Sequence, residues 1–187
     1  MNSDEKINYI SNWINEYANS LKFQPASLII GVSGGIDSAV TSTLCAKTDF
    51  KTIAVSMPIK QNPSQHDLSL KHLEWLNANF NNIEIMTIEL DKVFDTFENT
   101  MKDFNSSLAF ANSRSRLRMV TLYQIAQAKK GIVVGTGNKV EDFGVGFYTK
   151  YGDGGVDISP IADCTKTDVW ELGKELKISE QLQWLLR

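Results

Sequence analysis

Residues 27–38 read Ser27-Leu28-Ile29-Ile30-Gly31-Val32-Ser33-Gly34-Gly35-Ile36-Asp37-Ser38. The first half is a continuous apolar run ending in glycine, which suits a strand buried on both faces. The second half is a glycine-rich turn, and residues 37–47 continue it as a helix. A strand that feeds a helix through such a turn is the opening unit of a parallel α/β sheet. Gly34 and Gly35 lack a Cβ and can take positive φ, which lets backbone N–H groups approach an anion. The first turn of the helix adds unpaired N–H groups and the positive end of its dipole. Phosphate or pyrophosphate is therefore the expected ligand. Ser33 and Ser38 are expected to donate hydroxyls, and Asp37 is a hard carboxylate suited to Mg²⁺.

The alternation continues outward from this stretch. Ile7, Ile10, Trp13, Ile14 and Tyr17 recur at helical spacing. Strands are expected over 52–57, 83–88 and 132–134, and helices over 64–79, 91–101 and 108–129, the last ended by Gly131. The predicted fold is a three-layer, doubly wound, mainly parallel sheet with helices on both faces. In such folds ligands bind beyond the carboxyl ends of the strands, which selects the turns after Val32 and Val134. Residues 144–163 carry no clear periodicity and read as loop.

The totals bound the function. At 187 residues the chain suits one domain, and its net charge of −3 argues against nucleic acid or an anionic membrane as main partner. No apolar run is long enough to span a bilayer. Cys45 and Cys164 show neither CxxC spacing nor a disulfide framework, which fits a reduced, cytoplasmic setting. His66 and His72 lie on the 64–79 helix and read as surface or packing residues. No Ser-His-Asp or Cys-His arrangement is evident. The turn is neither GxGxxG nor GxxxxGK[ST], so dinucleotide-fold dehydrogenases and Walker-type NTPases match poorly.

The Ser-Gly-Gly-x-Asp-Ser string resembles the pyrophosphate loop of the N-type ATP pyrophosphatases, which split ATP into AMP and pyrophosphate. Two further stretches narrow the resemblance. One runs from Ala111 through Arg114, Arg116 and Arg118 to Met119. The other runs from Gly135-Thr136-Gly137-Asn138-Lys139-Val140-Glu141 through Tyr148-Thr149-Lys150-Tyr151-Gly152-Asp153-Gly154-Gly155-Val156-Asp157 to Pro160. Together they are similar to ammonia-dependent NAD synthetases over about residues 13–178.

That resemblance implies amidation of deamido-NAD by ammonia, with ATP cleaved through an acyl-adenylate, as the last step of NAD biosynthesis. It assigns Gly31, Val32, Ser33, Gly34, Gly35, Ile36, Asp37 and Ser38 to ATP, together with Thr136 and Lys166. Asp37 and Glu141 would hold Mg²⁺, and Asp37 and Lys166 would carry the chemistry. Arg116, Lys150 and Asp157 would bind deamido-NAD, while Arg114 and Arg118 read as solvated helix-face arginines. A lysine at 166 opens a helix, where the dipole does not favour it, so an anion-binding role is expected. The family further implies a homodimer. Nothing resembles a glutaminase, so nitrogen is expected as free ammonia. Another acceptor, or nucleotide binding without turnover, would keep the same loop. The family continues past the region matching Ile178 with a further ATP contact and a substrate contact. This sequence instead passes into residues 179–187, so it is expected to lack the C-terminal part of the family domain.

Overall fold

The computed structural model describes residues 1–178; residues 179–187, where the sequence is expected to depart from the family, lie outside the described residues. Four strands, β1 (Ser27–Gly31), β2 (Lys51–Ser56), β3 (Ile83–Thr87) and β4 (Gly131–Val134), form one parallel sheet in the order β3-β2-β1-β4. Ser27 is in register with Lys51 on one side and Gly131 on the other.

Alternate side chains of the central strand reach opposite layers, as the pleat requires. Leu28 and Ile30 pack under α1 (Ser3–Ser20), α2 (Ile36–Ala46), α3 (Pro63–Asn79) and α6 (Lys166–Glu175), among Ile14, Val40, Leu44, Leu76 and Leu172. Ile29 packs with Phe94 of α4 (Asp91–Thr100) and Met119, Leu122 and Ala126 of α5 (Ser107–Lys129). Leu28, Ile29 and Ile30 are fully buried, so truncating any one to alanine costs about 2–5 kcal/mol. The expected buried run is therefore the sheet's centre, and the expected three layers are present.

Side-chain caps fix the helix starts. Asn2 and Glu5 form a capping box on α1, Asn62 caps α3 ahead of Pro63, and Thr165 and Asp168 form a second box on α6. Two local expectations are corrected. Helix α5 ends on Lys130 in the left-handed region, at φ 52°, rather than on Gly131. Gly131 is needed for a different reason: a Cβ there would lie 2.7 Å from the Ser27 carbonyl oxygen of the neighbouring strand. The expected loop over 144–163 is entered by a single π-helical turn, Val140–Val145. Its backbone is started by the Asn138 side chain, which accepts from Val140 N and Glu141 N at 3.0 and 3.1 Å. The same loop returns to the sheet through a parallel bridge between Val134 and Ile158.

The order of strands positions the site. From β1 the chain steps to β2 and β3 on one flank, and β4 lies on the other. The direction of winding reverses between β1 and β4, which opens a crevice at their carboxyl ends.

Candidate active site

Gly34 takes φ +91°, and a Cβ there would stand 2.4 Å from the Gln65 carbonyl oxygen of α3. Only glycine fits this turn. Gly35, by contrast, is extended at φ −87° and forms the N-cap of α2, so only one of the two glycines uses the left-handed region. The hydroxyls of Ser33 and Ser38 are bonded within the turn. The Ser38 hydroxyl donates to Gly35 O at 2.9 Å and accepts from Ser33 N at 3.2 Å, while the Ser33 hydroxyl accepts from Gly35 N at 3.3 Å. Both hydroxyls brace the turn, because a tight Ser-Gly-Gly turn has backbone groups that need partners. Val32 and Ile36 are buried among core side chains, leaving their backbone as what they present to a ligand. The open face of the turn is thus a set of backbone N–H groups at the positive end of α2.

Asp37 stands in the first turn of α2. Its Oδ2 accepts from Lys166 Nζ at 2.5 Å, and its Oδ1 accepts from Asn138 Nδ2 at 2.9 Å. Lys166 Nζ also donates to Glu141 Oε1 at 3.0 Å. Asn138 is fully buried, and by holding both Asp37 and the turn that starts at Val140 it sets the spacing of the two carboxylates. Partial burial works against the Lys166 charge, but the bonds to Asp37 and Glu141 outweigh it and hold its pKa above the ordinary lysine value. The three residues assigned to magnesium and phosphate, one each from α2, the π-helical turn and α6, thus converge on one point.

Two carboxylates that share one cation form a donor set suited to a hard divalent ion. Among the described residues no group of three or more His, Cys, Asp or Glu converges to hold a metal. Asp37 and Glu141 would offer such an ion two oxygen ligands, with phosphate and water to complete its coordination.

Beside the turn lies a cleft of about 340 Å³ between the ends of β1 and β4. Gly31, Val32 and Ser33 form one side and Val134, Gly135 and Thr136 the other; Met57, Met119, Leu122 and Val156 supply apolar walls. Its polar rim includes Gln61, Ser115, Arg118 and Asp153. Gln61 Nε2 donates to Ser33 O at 3.1 Å, tying the loop after β2 to the phosphate turn. Thr136 lines this cleft.

The residues expected at the acceptor are arranged differently. Arg116 is exposed, and its Nε donates to Lys150 O at 3.0 Å. Lys150 is exposed too, with its ammonium 5.1 Å from the Tyr151 ring centre. Asp157 Oδ2 accepts from Val133 N at 2.7 Å, and its Oδ1 accepts from Tyr123 OH at 3.0 Å. Burial, then the bond to Asp157, pushes the Tyr123 phenol up to about 12. None of these three candidates lines the cleft. Arg116 and Lys150 meet; the Asp157 carboxylate is engaged by the edge strand.

Arg118 is corrected from a solvated arginine to a cleft residue: it is largely sheltered, and its Nε donates to Met57 O at 3.0 Å. The signal was present, because Ser115, Arg118, Met119 and Leu122 follow i, i+3, i+4, i+7 spacing and share one helix face. Arg114 lies over the Phe94 ring, 5.5 Å from its centre. Asn138 was also missed as a positioning residue. His72 is a packing residue as expected, bonded to Ser42 at 2.9 Å and stacked on Trp75, with burial pushing its pKa down to about 4. Among the described residues no helix is long and apolar enough to cross a membrane.

The NAD synthase family model matches residues 6–183. The chain belongs to the NAD synthase family. It is 35% identical to the NH(3)-dependent NAD(+) synthetase of Carboxydothermus hydrogenoformans over 187 aligned positions, covering 97% of this chain and 74% of the relative. The enzyme of the same name from Saccharolobus solfataricus is 41% identical, with 94% of this chain aligned but 61% of the relative. Two solved structures of similar shape are an NMN synthetase from Francisella tularensis and an NH3-dependent NAD synthetase from Campylobacter jejuni. The first superimposes with a TM-score of 0.88 at 34% identity, over 97% of this chain and 74% of that one. The second gives 0.87 at 28%, over 97% and 76%. This family has the adenine nucleotide alpha-hydrolase-like fold, in agreement with the three-layer parallel sheet.

Proposed function

We propose that this chain uses ATP to amidate the nicotinate carboxylate of deamido-NAD with ammonia, giving NAD, AMP and pyrophosphate, the last step of NAD biosynthesis. The observation that carries the reading is the meeting of Asp37, Glu141 and Lys166 beside the backbone-lined turn at the β1–β4 crevice.

The carboxylate oxygen attacks the α-phosphorus of ATP, the bond to the β-phosphate oxygen breaks, and pyrophosphate leaves. Ammonia then attacks the acyl carbon of the adenylate, the acyl–oxygen bond breaks, and AMP carries away the electron pair. A proton lost from nitrogen completes the amide. The Gly34 turn, the N-terminus of α2 and Lys166 oppose the charge that builds on the leaving pyrophosphate. Asp37 and Glu141 would hold Mg²⁺, which when bound supplies further positive charge to the phosphate oxygens. For Lys166 to reach phosphate it must release part of its present grip on the two carboxylates.

Thr136 borders the nucleotide, while Arg116 and Lys150 receive the acceptor. Asp157 joins them through lone pairs left over from its bonds to Val133 and Tyr123. The working unit is a homodimer in the cytoplasm, where Cys45 and Cys164, both free and buried, remain reduced.

A second reading keeps the chemistry and shortens the acceptor to nicotinate mononucleotide. It is favoured by the likeness to the Francisella protein named NMN synthetase. Pyrophosphate release is to be measured with each acceptor plus ammonium, with the amide product weighed by mass spectrometry. Release dependent on deamido-NAD, with NAD formed, supports the first reading. A strong preference for the mononucleotide supports the second, and nucleotide binding without release under either condition refutes both.

A further inference from the structure

Arg118 is a cation in sheltered surroundings with little to neutralise it. A guanidinium carries five N–H donors, and among the described residues one hydrogen bond is present, from Nε to the Met57 carbonyl. Among the same residues no carboxylate lies within ion-pair distance of it. Burial, followed by the charge of Arg114 nearby, works against its ionised state. A sheltered charge without a counter-charge is unfavourable and is retained where something anionic arrives to meet it. Its remaining donors belong to a residue that borders the cleft beside Gly31, Ser33 and Thr136.

Arg116 and Arg118 are two residues apart, hence about 200° apart around α5. Arg116 is exposed and bound to the Lys150 loop, whereas Arg118 is tied to the end of β2 and faces the cleft. The two arginines therefore serve different ligands. Resting on the proposed ATP-dependent reaction, we infer that Arg118 is a nucleotide-binding residue whose terminal nitrogens pair with a phosphate oxygen of ATP. Its bond to Met57 O holds the guanidinium in place, so the contact is made without reordering a long side chain.

The test is calorimetric binding of Mg-ATP, with neither acceptor nor ammonium, to the wild type, Arg118→Gln and Arg118→Lys. Deamido-NAD binding is measured in parallel. Glutamine can still donate to a carbonyl but carries no charge; lysine keeps the charge. Arg118→Gln is expected to weaken ATP binding about 10- to 150-fold, the range for losing a charged hydrogen bond. It should leave deamido-NAD binding and the melting temperature near wild type, and lysine should recover much of the loss. A folded Arg118→Gln that binds ATP as the wild type does overturns the inference, as does a loss confined to deamido-NAD. If the glutamine variant does not fold, Arg118→Lys decides. Binding within about tenfold of wild type supports the inference, and a larger loss overturns it. Failure of the wild type to bind ATP would overturn this inference together with the proposed function. Wild-type binding with an indifferent Arg118 overturns this inference alone.

Discussion

The two rims of the crevice are built on opposite plans. At the end of β1 the phosphate turn is backbone held by backbone: Gly34 fits against the carbonyl of Gln65, and two serine hydroxyls lock the peptide groups. On the other rim the acceptor candidates are exposed side chains, Arg116 on α5 and Lys150 and Asp157 on the long loop beyond β4, bonded for now to that loop, to α5 or to the sheet edge. The first rim is preformed, as the proposed phosphate ligand would require. The second is adaptable. A family with one nucleotide and several possible acceptors would be expected to divide rigidity in this way.

The largest effect should come from breaking the preformed rim. Asp37→Asn keeps size and the chance of a bond to Asn138 but removes the charge shared with Lys166. Pyrophosphate release should fall about 10²- to 10³-fold while circular dichroism and melting stay near wild type. Undiminished release by the folded variant would remove Asp37 from the mechanism.

Behind that rim, His72 is neutral in the fold, bonded to Ser42 of α2. Burial lowers its pKa from 6.5 to about 4. A base whose folded value is depressed favours the fold above its unfolded pKa. Its stabilisation should therefore be complete above about pH 6.5 and decline as pH falls toward 4, by on the order of 3 kcal/mol in total. Urea unfolding at pH 7 and pH 5 should show this decline in the wild type and less of it in His72→Phe. Parallel declines would place the acid sensitivity elsewhere.

The adaptable rim should respond through affinity. Arg116→Ala should raise the apparent KM for deamido-NAD by about 10- to 150-fold, equivalent to about 1.5–3 kcal/mol, and that for ATP much less. Equal effects on both substrates would erase the division between the rims. The smallest effect is expected from Tyr123→Phe, which removes one bond to Asp157. It should lower stability by about 0.5–1.5 kcal/mol by thermal melting and leave ATP binding unchanged. A loss of ATP affinity would show that the two rims are coupled.

The same contrast explains what the sequence disclosed. Residues 27–38 were legible because burial, turn and helix start are local events within a dozen residues. Lys166 was legible as an oddity, a lysine at the positive end of a helix, and the structure supplies its reason in Asp37 and Glu141. Arg118 was misread although its helix face was in the periodicity, because its shelter depends on β2, far away in sequence. The engagement of Asp157 by Val133 and Tyr123 had no local signal, since it arises only when the loop returns to β4. Asn138 was hidden for a related reason: a polar residue in a glycine-rich loop ordinarily reads as solvated, yet three hydrogen bonds allow this one to be fully buried.

The most direct test follows one oxygen atom. Deamido-NAD with both carboxylate oxygens labelled as ¹⁸O is to be incubated with the chain, ATP and ammonium, and the products weighed. Attack on the α-phosphorus leaves one label in the amide of NAD and transfers the other to AMP, with none in pyrophosphate. Label in the pyrophosphate or in free phosphate, or AMP formed without label while NAD accumulates, would contradict an acyl-adenylate formed at this crevice.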